Sequence, residues 1–188
     1  MKDFLSDNGK TIRKIYVNQF GAIVFALMMA LATIKIKNTV VDILSCIVTI
    51  LFFSYLLYLV AWDKGANDRL KVDGGRAAPC EHKGFRIGLC AMFPVMVLCA
   101  LWVVFHFLGE YAGIPFFRTL NDILAVIVSI LQATFLQTVN LIGVGMPKIV
   151  LPVLYLVSAL VVAGITWISY YLGYHGKFMS VAYKKETR

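Results

Sequence analysis

What this chain lacks is charge where its apolar runs are longest. Of its 188 residues, 60% are hydrophobic and only 15% are charged. No Asp, Glu, Lys or Arg lies in the middle of a long apolar run; Asp42 stands near the start of one. Ionisable groups inside a bilayer are costly and mark ion or proton pathways. Their absence argues against an ion-coupled pathway through a single chain. The four cysteines form no CxxC: Cys46, Cys90 and Cys99 fall inside apolar runs and Cys80 in a polar loop. That excludes a disulfide framework and leaves small packing residues plus one reduced thiol. There is no internal repeat, so the inverted-repeat design of many transporters is unsupported. No Ser–His or Cys–His pair is placed for nucleophilic catalysis. No small-residue cleavage site follows the polar, basic and acidic lead, so the first helix is expected to stay as an anchor.

What the chain has is length of apolar sequence. A bilayer core of ~30 Å takes about 20 apolar residues at 1.5 Å each, folded as helix because unpaired backbone is not tolerated there. Residues 18–36, 40–62, 87–109 and 149–173 meet that requirement. Residues 120–146 are also apolar enough, yet carry Ser129, Gln132, Thr134, Gln137, Thr138 and Asn140 and end in Gly143, Gly145 and Pro147.

Charge sets the orientation. Of the 18 basic residues, fourteen fall in three segments: Lys2, Lys10, Arg13 and Lys14; Lys64, Arg69, Lys71, Arg76, Lys83 and Arg86; Lys177, Lys184, Lys185 and Arg188. Lys35, Lys37, Arg118 and Lys148 lie on the other side if four helices cross. This is the positive-inside pattern with both termini and the 63–86 loop cytoplasmic. A fifth crossing would put the basic tail outside. The expectation is therefore an all-α integral membrane protein, multi-pass in the plasma membrane. It has four transmembrane helices plus an outer amphipathic or re-entrant helix over 120–146, five spans being the alternative. The whole chain is read as one membrane domain. Residues 1–17 form a cytoplasmic lead whose end, Ile12, Ile15 and Tyr16, lies along the headgroups. Pro94 is expected to kink the third span. The net charge of +8 needs no nucleic acid, because anionic headgroups attract basic residues at membrane ends.

Several constellations are candidates for function. Ala22, Ala26 and Ala30 form a small-residue stripe on which a helix can pack closely. In the 63–86 loop, Asp73-Gly74-Gly75 is a turn signal, and the second helix is expected to continue past the membrane with Asn67 and Asp68 facing Lys71. Asp63, Asp68, Asp73 and Arg76 could make a docking surface for a partner. The three aspartates are five residues apart, which is not one helical face, and the Asp-Gly-rich signature of lipid-headgroup transferases is absent. Cys80-Glu81-His82 offers two zinc ligands where structural zinc needs four. His106 and Glu110, one helical turn apart, are the best candidate for a pH-sensitive pair. Gln132, Gln137 and Asn140 could line a path if the outer segment inserts. No catalytic, cofactor-binding or metal-binding residue is assigned.

Asn18-Gln-Phe-Gly21, Trp62-Asp-Lys-Gly-Ala-Asn-Asp68, Asp73-Gly-Gly-Arg76, Lys83-Gly-Phe85 and Gly88-Leu89 together resemble a family of small polytopic membrane proteins of Gram-positive anaerobic bacteria. The resemblance covers about the first half of the chain. No known activity goes with that family, so the resemblance implies topology and no mechanism. The leading expectation is a non-enzymatic accessory, assembly or regulatory subunit of a membrane complex, with the lipid bilayer and another membrane protein or a second copy as partners. The alternatives are a solute transport protein or homo-oligomeric pore, and a lipid-acting membrane enzyme.

Overall fold

The computed structural model describes residues 2–33, 36, 38–110, 113–143 and 145–176, with the side chains of residues 2, 3 and 5 left aside. Lys35, Lys37, Lys177, Lys184, Lys185 and Arg188 of the charge count lie outside them. The described residues form six helices and no strand: α1 (Lys2–Thr33), α2 (Thr39–Asp73), α3 (Lys83–Glu110), α4 (Pro115–Leu131), α5 (Ala133–Gly143) and α6 (Val150–Tyr174). α1, α2, α3 and α6 are each long and apolar enough to cross a membrane. The protein is an all-helical, multi-pass membrane protein.

The 35 residues of α2 rise roughly 52 Å, about 22 Å more than a ~30 Å core. Residues 63–73 supply about 16 Å of that surplus, so much of the expected cytoplasmic loop is helix. The helix stops where expected. Gly75 takes a left-handed φ of 68°, and the Arg76 N–H returns to the Lys71 carbonyl at 2.8 Å. At the other end of the chain the expected separate lead is not separate. α1 is continuous from Lys2, with Asn8 and Ile15 fully buried. α3 runs through Pro94 without interruption.

The 120–146 segment departs most from a single rod. Pro115 starts α4 at a position where its missing N–H is harmless. Arg118, Asp122 and Ser129, at i, i+4 and i+11, share one side of it. α4 then ends at Gln132, and α5 leaves at a bend of 118°. Seventeen residues of α4 and eleven of α5 rise about 25 and 16 Å. With that bend, their net advance along α4 is roughly 18 Å, well short of a ~30 Å crossing. A pair of helices bent in this way is either a broken fifth span or a re-entrant element.

Contacts divide the chain into two compact units. Unit 1 is Met1–Asn18, Ser54–Ala91 and Val161–Arg188; unit 2 is Gln19–Phe53 and Met92–Leu160. Unit 1 is packed through glycines. A Cβ on Gly173 would stand 2.1 Å from the Trp62 carbonyl oxygen, and one on Gly65 2.2 Å from that of Tyr170. Backbones of α2 and α6 therefore touch directly. Gly84 and Gly88, spaced as GxxxG on α3, bring it close to α6: a Cβ on Gly84 would stand 2.4 Å from the Tyr170 Cβ, and one on Gly88 2.7 Å from the Ala163 Cα.

Unit 2 is packed by side chains. Ile23 and Ala26 of α1 cluster with Ala133 of α5. Phe53 meets Phe135 edge-on at 6.3 Å, and Trp102 meets Tyr155 at 6.0 Å.

Candidate functional site

The most concentrated chemistry lies in unit 1, around Asp68. This residue sits on the surplus turns of α2 and is 5% exposed. Its Oδ1 is 3.0 Å from Lys64 Nζ, one turn back on the same helix. Its Oδ2 is 2.9 Å from Lys83 Nζ, at the first residue of α3, and accepts a 3.1 Å hydrogen bond from the Tyr170 hydroxyl of α6. Lys83 also donates to Asp7 Oδ2 of α1 at 3.2 Å. Four helices thus meet through one buried carboxylate and one ammonium.

The electrostatics follow from this geometry. Burial alone would raise the Asp68 pKa, but its bonds to Lys83 and Lys64 win and hold it below the ordinary 3.8. The bond from Lys83, with its charge, lowers Asp7. Burial opposes the charged form of Lys83, yet Asp68 and Asp7 raise it above the usual 10.5. All three groups are charged near neutral pH. The cluster forms one wall of a cavity of about 250 Å³ that also reaches Asn8, Cys80 and Arg86. Asn8 Nδ2 donates to the Phe4 carbonyl at 2.8 Å. Its Oδ1 has no hydrogen-bond partner among the described residues.

The other loop candidates are not gathered here. Asp63 and Asp73 are exposed; Asp63 approaches Lys14 at 4.0 Å and Asp73 approaches Arg69 at 3.5 Å. Arg76 is exposed. The five-residue spacing explains this, since it sends each aspartate to a different side of α2. Asp68 is therefore a buried intramolecular partner and not part of an exposed docking surface. Its helical mate is Lys64 at i−4; the expected pairing with Lys71 does not form. Asn67 turns back as well, donating to the Asp63 carbonyl at 2.9 Å. Glu81 lies 3.6 Å from His175, and His82 stands 6.0 Å from the Trp167 ring. No group of three or more His, Cys, Asp or Glu that could hold a metal occurs among the described residues.

In unit 2, Gln132 is buried at the α4–α5 elbow. It accepts from the Ser158 hydroxyl and donates to the Tyr155 carbonyl at 3.3 Å. Gln137 accepts from Ser45 at 2.8 Å and donates to Thr33 at 3.2 Å. Gln19 donates to the Leu131 carbonyl at 3.1 Å, supplying a partner at the open end of α4. Asn140 is exposed. The two glutamines thus join helices of the chain to one another. Ala22 and Ala26 are buried within the chain and Ala30 is half-buried, so the alanine stripe is covered from inside. His106 is half-buried and Glu110 exposed, and no ion pair joins them among the described residues.

Reading the sequence missed Asp7, Lys64, Lys83 and Tyr170 as members of one cluster. The i, i+4 spacing of Lys64 and Asp68 was the available signal, together with the GxxxG at Gly84 and Gly88 that marks where α3 docks. No family model, curated protein or solved structure matches the chain.

Proposed function

We propose that this protein is a non-enzymatic subunit of a larger plasma-membrane complex, with both termini cytoplasmic. The observation that carries this reading is an imbalance among the four long helices. In the most apolar 18-residue window, 39% of α3 and of α6 is buried within the chain, against 22% of α1 and 28% of α2. In unit 2, α1 leaves Phe20, Met28 and Leu31 largely exposed, and α2 does the same with Val40, Leu44 and Leu51. Gly21 lies in that α1 surface, exposed, and a Cβ there would meet nothing within 4 Å. A glycine on a membrane-exposed face has no packing role inside its own chain, and it allows a partner helix to approach closely. The buried polar groups support the same reading. The Asp68 cluster and the two glutamines hold the chain's own helices together.

The test is affinity purification in a gentle detergent, with mass spectrometry of what co-elutes. The reading expects a stoichiometric membrane partner that is lost on Gly21→Leu while the variant itself stays monodisperse. Recovery of the wild-type chain alone, together with solute flux after reconstitution into liposomes, would replace the subunit reading with a carrier or pore.

A further inference from the structure

We infer that unit 1 carries a binding site for one anionic phospholipid of the cytoplasmic leaflet, its headgroup in a basic groove and its chains beside it. This inference does not depend on whether the protein has a protein partner.

The groove runs between the start of α1 and the surplus turns of α2 and has a volume of about 440 Å³. Lys10, Lys14, Lys71 and Arg76 line it, and all four are exposed. Lys64 also lines it, but its ammonium is held by Asp68. Two acids share the lining. Asp7 is engaged by Lys83 at 3.2 Å, and Asp63 stands at the limit of contact with Lys14, 4.0 Å away. Lys10, Lys71 and Arg76 have no acidic partner within ion-pair distance among the described residues. Cations thus outnumber acids in the groove, and three of them are uncommitted among the described residues.

A second cavity, also about 440 Å³, shares Lys10, Lys14 and Val60 with the first and adds Arg13, Val17 and Asn18. Both volumes fall in the usual range for ligand clefts, ~300–1,000 Å³. The first span begins near residue 18 and the second ends near 62, so the shared residues stand at the membrane boundary. Lys14 is four residues before that boundary, about 6 Å along the helix, which is headgroup depth. A cationic groove that continues into a partly apolar one at that depth matches an amphiphile with an anionic head. A free anion would leave the second cavity empty, and a zwitterionic lipid would leave the three cations uncompensated.

The test uses the full chain in non-ionic detergent, stripped of lipid. Native mass spectrometry counts retained lipid, and melting temperature is followed with added phosphatidylglycerol, phosphatidylcholine or inorganic phosphate. The expected result is one retained phosphatidylglycerol and a raised melting temperature, with neither effect from the other two. Each basic side chain near an anionic surface is worth about 1 kcal/mol, roughly fivefold. The triple variant Lys10→Gln, Lys71→Gln, Arg76→Gln should therefore bind about a hundredfold more weakly. The charge-keeping variant Lys10→Arg, Lys71→Arg, Arg76→Lys should still bind, which separates a lost site from a lost fold. A control removes three charges elsewhere: Arg69→Gln, Arg118→Gln, Lys148→Gln. Equal loss in the control would reduce the effect to general charge attraction and overturn the site. Equal stabilisation by inorganic phosphate would overturn the lipid in favour of a free anion, and equal retention of phosphatidylcholine would overturn the role of the cations.

Discussion

The two units of this protein solve the same problem, joining apolar helices, with different materials. In unit 1, helices approach closely at Gly65, Gly84, Gly88 and Gly173, and a buried carboxylate is ion-paired to half-buried ammonium groups. In unit 2, large side chains interlock and the polar groups that join helices are neutral: buried Gln132, Ser45, Ser158 and Thr33, with half-buried Gln137. Charge is tolerated where ammonium and carboxylate can meet at 2.9–3.2 Å. Where there is no such partner, neutral amides and hydroxyls join helices at lower risk, because an unpaired amide costs less than an unpaired charge.

This contrast can be broken most severely at Asp68. Asp68→Ala leaves two buried or half-buried ammonium groups without their shared carboxylate. Breaking such a pair costs about 3–5 kcal/mol. For a chain of this size that lowers the melting temperature by roughly 10 °C or more, readable by fluorescence-detected size exclusion after heating. An unchanged melting temperature would mean that the cluster is decoration. The same cluster sets a pH window. Asp68 and Asp7 have folded pKa values below 3.8, so their stabilisation is complete above about that pH and is lost as pH falls through the depressed values. The Lys83 pKa is raised above 10.5, so its contribution is complete below that value and is lost as pH rises through the folded one. Melting temperature should fall at both ends of a pH 3–11 series. Asp68→Asn should flatten both limbs.

Gly173→Ala tests the glycine half of the contrast. Its added methyl would meet the Trp62 backbone at 2.1 Å, and backbone cannot rotate away. Overpacking of this kind costs about 1–3 kcal/mol, seen as a melting temperature lowered by several degrees. Gln132→Leu should cost less, about 1 kcal/mol, because neutral interhelical hydrogen bonds in membranes are weak and leucine keeps most of the volume. A loss as large as that of Asp68→Ala would erase the distinction between the units. The smallest effect is expected at Gly21, where a methyl meets nothing. Gly21→Ala should leave the melting temperature unchanged or raise it, since alanine is the better helix former by up to ~1 kcal/mol. A clear loss in the isolated chain would show that the Gly21 face is covered by the chain itself.

Much of the architecture was legible from residues. Four apolar runs of adequate length became four long helices, and Asp73-Gly74-Gly75 ended α2 as its composition foretold. The site was harder to read. Asp68 was visible as one of three loop aspartates, but its burial was not, because Asp63 and Asp73 look alike in sequence and differ only in which side of α2 meets α3 and α6. Lys83 and Asp7 are 76 positions apart, and no local pattern links them. The GxxxG at Gly84 and Gly88 was readable and points to the α3–α6 contact.

The sequence by itself determined that the chain is helical and crosses a membrane several times, because bilayer thickness and backbone hydrogen bonding leave no other form to apolar runs of that length. It also determined where α2 stops, through a glycine that alone accepts the left-handed turn without strain. Only the tertiary structure decided where the 120–146 segment bends. No proline or glycine stands at Gln132; at the break its side-chain amide bonds to Tyr155 and Ser158 of α6, and the Leu131 carbonyl accepts from Gln19 of α1. Tertiary packing likewise chose Asp68 over its neighbours, since burial of a carboxylate is stable only where two ammonium groups and a hydroxyl converge on it.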